Sequence, residues 1–178
     1  MSNSSSGEIA ESVDRSWPET RAGDELTLLW GFLDFLRATA VNKVAGLTRA
    51  EAAGSPFPAS PEMNALGVIR HLTAVERWWL TIVGGGSDLP ELWGDTSDHD
   101  HLFRLGKEHS PAELVAAYQE EWRISREALA GLSADDAVRR PGEDKTVRWV
   151  LTHLVQETAR HVGHLDVLRE FADGQVGE

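Results

Sequence analysis

Apolar residues recur at alternating steps of three and four through four stretches of the chain, and each stretch reads as an amphipathic helix. The first runs from about Gly23 to Ala45, with Leu26, Leu29, Leu33, Leu36, Ala40 and Val44 on one stripe and Trp30 and Phe35 beside it. The second, roughly Asn64 to Val83, carries Ala65, Val68, Leu72, Val75, Trp79 and Ile82. The third opens at Ser110 and keeps Val115, Tyr118, Trp122 and Leu129 in the same rhythm until Gly131 stops it. The fourth, Thr146 to Gly174, carries Val147, Val150, Leu154, Glu157, His161, His164, Leu168 and Phe171. A second, almost wholly apolar stripe of Leu151, Val155, Thr158, Val162 and Leu165 lies beside it, so this helix is expected to have neighbours on both faces.

The punctuation agrees with this division. Gly54, Pro56, Pro58 and Pro61 force a non-helical connection after the first helix, because proline removes a donor and restricts the residue before it. Gly84, Gly85 and Gly86 end the second helix. Ser110, Pro111 and Glu113 form a start signal, with an N-cap hydroxyl, proline in the first turn and an acid placed to complete a capping box. Pro141 and Gly142 mark the connection between the third and fourth helices, and Gly174 supplies a C-cap. No period-two strand pattern competes. The pattern predicts an all-α fold, a four-helix bundle, with room for short extra helices in the first and third connections. Residues 1–20 are Ser-rich and acidic and read as a flexible N-terminal arm; residues 21–178 read as a single domain.

Composition narrows the function. A chain of 178 residues can bury a full core without staples. It has no cysteine, which excludes disulfides, thiolate zinc sites and a cysteine nucleophile and fits a reducing cytoplasm. The formal charge of -12 repels phosphate backbones and anionic membranes, and Lys and Arg do not cluster, so no nucleic-acid partner is expected. There is neither a leader-like basic and apolar start nor a run near the roughly 18 apolar residues of a membrane span. The expectation is a soluble cytoplasmic protein with no membrane partner, and a homodimer, as helical bundles of this size often pair through an apolar face.

The fourth helix carries the candidate chemistry. Glu157 and His161 lie four apart on its inward stripe, and a buried carboxylate and imidazole need a compensating partner. Two arrangements satisfy them: a mutual hydrogen bond one turn apart, or a divalent cation shared with a histidine from a facing helix. His71, at the margin of the second stripe, is the candidate third donor. Two imidazoles and a carboxylate form a borderline N/O set that suits zinc first and tolerates nickel, iron or manganese. His153 and His164 are candidates for supporting hydrogen bonds or proton transfer. Asp95, Asp98, His99, Asp100 and His101 cluster in the polar 87–109 loop, which reads as a solvated turn that could close over a site. Trp78, Trp79, Trp93, Trp122 and Trp149 are available to line an apolar pocket.

The segments NALGVIRHLTAVERWW and RWVLTHLVQETARHVGHLDVLRE, followed by FADGQVGE, resemble the DinB superfamily, within it the actinobacterial branch related to mycothiol-dependent enzymes. The resemblance spans about Asp24 to Gly177 and rests on a histidine in helix two paired with two ligand-type residues four apart in helix four. It implies an up-down-down-up four-helix bundle holding one divalent metal. Many members use three histidines, whereas the mycothiol-dependent maleylpyruvate isomerases use His, Glu and His; carried over by position, these are His71, Glu157 and His161. The implied activity is a thiol S-transferase or isomerase in detoxification or small-molecule metabolism, directing mycothiol or a similar low-molecular-weight thiol at a small electrophile. Two other readings use the same residues: a metal-dependent hydrolase, and a non-catalytic bundle that binds a metal or small molecule.

Overall fold

The computed structural model describes residues 9–19, 21, 23–93 and 109–177. Among these the fold is all-helical: α1 Glu25–Asn42, the one-turn α2 Arg49–Ala52, α3 Ala65–Glu76 continued by a π-helical segment Arg77–Gly84, α4 Pro111–Ala128 and α5 Val147–Asp173. An isolated antiparallel bridge between Ala137 and Thr146 is the extended pairing among the described residues. None of the described helices is long and apolar enough to cross a membrane.

Helix ends lie where short polar side chains can satisfy the first free amides. Asp24, Asn64 and Thr146 accept from Thr27, Gly67 and Trp149, while Thr48 and Ser110 complete reciprocal capping boxes with Glu51 and Glu113. Gly174 ends α5 at φ 78°, a left-handed conformation that favours glycine. The expected extra helix in the first connection is α2.

The second helix departs from expectation after Glu76. A π turn closes over i→i+5 and so takes in an extra residue per turn, which rotates the apolar face relative to the predicted stripe. Leu80 and Val83 are fully enclosed and Ile82 of the predicted stripe is buried, whereas Trp79 of that stripe is only partly buried. This winding is anchored from outside. Arg77 pairs with Glu121 of α4 at 2.7 Å, Thr81 Oγ1 donates to the same carboxylate at 2.7 Å, and the Val83 and Gly84 carbonyls accept from the Arg140 and Arg139 amides. The glycines do more than stop the helix: a Cβ on Gly85 would lie 2.6 Å from Ala128 Cβ, so the chain can approach α4 only without one.

α1 packs on α5, and α3 on both α4 and α5. Contacts at the helix ends give their directions. Arg148 pairs with Glu25 near the start of α1, and Arg169 donates to the Asn42, Lys43 and Ala45 carbonyls near its end, so α1 and α5 run in parallel. Residues 9–19 lie along α1: Val13 N donates to Asn42 Oδ1 at 2.8 Å, Gly46 N donates to Ala10 O at 3.0 Å, and Ala10 is buried.

The core is layered. One apolar cluster holds Val41, Leu47, Leu66, Leu72, Leu114 and Leu165; the other holds Leu33, Leu80, Leu129, Val150 and Leu154. Between them along each long helix come buried polar residues: Arg37, Glu76 and Arg77, Glu121 and Ser125, Thr158 and His161. Arg37 donates to both Glu76 oxygens, Nε to Oε1 at 2.8 Å and NH2 to Oε2 at 2.5 Å, and to Ser125 Oγ at 3.0 Å. Burial works against both charges. At Glu76 burial outweighs the Arg37 contact and raises the carboxyl, whereas at Arg37 the bidentate contact outweighs burial and holds the guanidinium above its ordinary pKa.

Candidate metal centre

The polar layer opens toward the surface where α3 meets α5. His71 Nε2 lies 3.2 Å from Glu157 Oε1, and His161 Nε2 lies 3.0 Å from the same oxygen. The spacing of four puts Glu157 and His161 on one face of α5, one turn apart, and α3 presents His71 from across the groove. The two imidazole rings are 4.4 Å apart between centroids and tilted by 58°. One donor atom from each of the three residues lies within 4.8 Å of the other two. His161 is buried, whereas His71 and Glu157 are partly exposed, so this edge of the cluster meets solvent.

Electrostatics decide what the cluster is at neutral pH. Burial lowers the His71 pKa and outweighs the nearby Glu157 carboxylate. Burial also lowers His161, to about 4, with the second imidazole beside it acting in the same direction. Burial alone would raise the Glu157 carboxyl, but its hydrogen bonds to the two histidines hold it below its usual value. The groups are therefore two neutral imidazoles and one carboxylate. Without a cation their contacts are hydrogen bonds rather than ion pairs, each histidine donating Nε2–H to the carboxylate. With the ring protons on Nδ1 instead, the same three residues offer two unshared electron pairs and a single negative charge. A divalent cation with open coordination positions suits that donor set.

The other candidates separate. His164 joins the group from behind, its Nδ1 3.3 Å from His161 Nδ1. His153, one turn before Glu157, is engaged elsewhere: it stacks on Trp149 at 5.3 Å and meets Trp79 edge-on at 4.9 Å. Lys145 Nζ lies over both of those indoles, at 5.3 and 5.6 Å. Of the remaining tryptophans, Trp78 sits under Arg140, Trp93 under Arg70, and Trp122 against Tyr118 and Arg37. The five tryptophans thus line no single pocket; Trp79 and Trp149 alone among them share a site with a histidine, beside the cluster. Asp95, Asp98, His99, Asp100 and His101 lie outside the described residues.

Sequence reasoning did not find the Arg37–Glu76 and Arg77–Glu121 pairs. A signal was present: Arg37 follows Leu33 by four and precedes Ala40 by three, which places a cation inside an apolar stripe.

Among known proteins, residues 28–174 match the family model described as Mycothiol-S-transferase. No curated protein and no solved structure matches.

Proposed function

The chain belongs to the mycothiol S-transferase family, a DinB-like one, and from that premise we propose that His71, Glu157 and His161 hold one divalent metal ion, zinc in the first instance, at which a low-molecular-weight thiol is activated. The observation that carries this is the convergence of three uncharged or anionic donors, from two helices, within 4.8 Å. A bound ion of this kind lowers the pKa of a coordinated thiol and so supplies a sulfur nucleophile at neutral pH. The chain has no cysteine of its own, so in a thiol transfer the nucleophile must come from a co-substrate, mycothiol or a similar thiol. The partly exposed edge of the cluster supports entry of that thiol and of a small electrophile.

In this reading residues 21–178 are one domain preceded by an N-terminal arm, whose residues 9–19 pack along α1 and bury Ala10 instead of hanging free as expected, and the four long helices form an up-down-down-up bundle. The parallel run of α1 and α5 supports that order, as does the meeting of His71 on α3 and Trp79 on its π-helical continuation with progressively earlier residues of α5. The reading places the protein in the cytoplasm, whose reducing poise keeps such a thiol available. It also includes a homodimer, supported by exposed apolar pairs one turn apart, Leu28 with Phe32 and Val167 with Phe171; sedimentation velocity tests this.

Elemental analysis of the purified protein beside a His161→Ala variant tests the site. Stoichiometric metal in the parent and none in the variant is expected; a parent without metal after growth and refolding in zinc refutes it. Incubation of the metal-replete protein with mycothiol and a panel of electrophiles tests the reaction. Absence of any conjugate, together with no mycothiol binding by calorimetry, would transfer the site to metal-activated water and hydrolysis.

A further inference from the structure

We infer that His164 is a positioning residue for the metal centre: its Nδ1 fixes the ring orientation and proton placement of His161, the most deeply buried of the three proposed ligands. The inference rests on the metal reading above and concerns how this chain builds the site.

The geometry follows from spacing along α5. His161 directs Nε2 toward Glu157 Oε1, 3.0 Å away, and so toward the point where the three donors converge. Its other nitrogen, Nδ1, lies 3.3 Å from His164 Nδ1, and the two rings meet edge-on at 5.2 Å and 72°. The separation of three residues places His164 on the same side of the helix, behind the ligand as seen from Glu157. Leu165 and Leu168 are buried on the same stretch of helix, which holds this turn of α5 in the core.

Ligation requires the unshared pair of His161 Nε2, so a neutral His161 must carry its proton on Nδ1. That N–H needs an acceptor because the side chain is 8% exposed. His164 Nδ1 is the acceptor at hand, and in accepting it keeps its own proton on Nε2. Metal-binding histidines are generally oriented in this way by a hydrogen bond to the second nitrogen, and losing that partner weakens metal binding by about 10–100-fold. His153 makes the comparison on the same helix: it is as close in sequence to Glu157 as His161 is, but its ring is taken up by Trp149 and Trp79.

The test measures zinc affinity of the metal-stripped full chain by competition with a chromophoric chelator, and the visible spectrum of the cobalt-substituted protein. The variants are His164→Ala, His164→Asn and, for comparison, His153→Asn. Asparagine attaches an acceptor oxygen to the same Cγ that carries Nδ1. His164→Ala is expected to weaken zinc binding by about 10–100-fold and to change the cobalt spectrum. His164→Asn should recover most of the affinity, and His153→Asn should leave it near that of the parent. Melting curves of the metal-free variants check that each is folded. Parental affinity in His164→Ala overturns the inference, as does a loss in His164→Asn equal to that in His164→Ala, which would mean the acceptor is not what matters. A parent that binds no zinc overturns the metal reading itself, and is thereby distinguished from a failure of His164 alone.

Discussion

Lowering the pH on metal-stripped protein should destabilise it through His161 well before the carboxylates respond. In the folded chain this imidazole titrates at about 4, against an ordinary value of 6.5. Between those values the unfolded chain takes up a proton that the native state refuses, so stability is complete above pH 6.5 and falls as the pH drops toward 4. At about 1.4 kcal/mol per pKa unit the full effect is roughly 3 kcal/mol, of which about 2 kcal/mol is already lost at pH 5. His71 is also lowered and adds in the same direction. Glu157, held below its ordinary 4.5, loses its contribution only as the pH falls through that lower region. Urea unfolding followed by tryptophan fluorescence at intervals from pH 8 to 5 gives the slope. The same series on His161→Gln removes the responsible group while leaving the rest of the charge distribution in place. The parent should lose about 2 kcal/mol more than the variant over this range. Parallel lines for the two proteins would refute the argument, because they would show that His161 titrates alike in the folded and unfolded chains.

Three further outcomes follow from the polar layer and the helix ends. Glu76→Ala strands the enclosed Arg37 guanidinium and should cost about 3–5 kcal/mol, whereas the double replacement Arg37→Met with Glu76→Leu should be close to neutral; thermal melts of single and double variants separate these. Gly85→Ala brings a methyl to 2.6 Å from Ala128 Cβ and 2.9 Å from the Thr81 carbonyl, and should cost about 1–3 kcal/mol by denaturant titration. Thr146→Ala removes the acceptor for the Trp149 amide at the start of α5 and should cost about 1 kcal/mol in the same assay, with no change in zinc affinity.

The candidate site was legible because its unusual feature is local. Glu157 and His161 sit four apart inside an apolar rhythm, and an ionisable pair in such a place demands a partner whatever the rest of the fold does. The same holds for Ser110 and Gly174, whose capping roles depend on neighbours within a few residues. The π segment was not legible in this way. Arg77 and Thr81 read as ordinary helix residues until Glu121 of α4 is placed between them, and the poorer π winding persists because that carboxylate and the Arg139–Arg140 amides satisfy it from other parts of the chain.

By itself, then, the sequence determined helices, their ends and the three residue types capable of holding a cation, since each is written in spacings that a helix repeats every turn. The buried faces were only partly legible: the π winding turns the second helix away from its predicted stripe, and Phe171, on the inward stripe of the fourth helix, is exposed. Which histidine meets His161 and which stacks on tryptophan was decided only in three dimensions. His153 and His164 have similar spacing on α5, and their roles differ because Trp79 lies opposite one of them, while the other finds the back of His161.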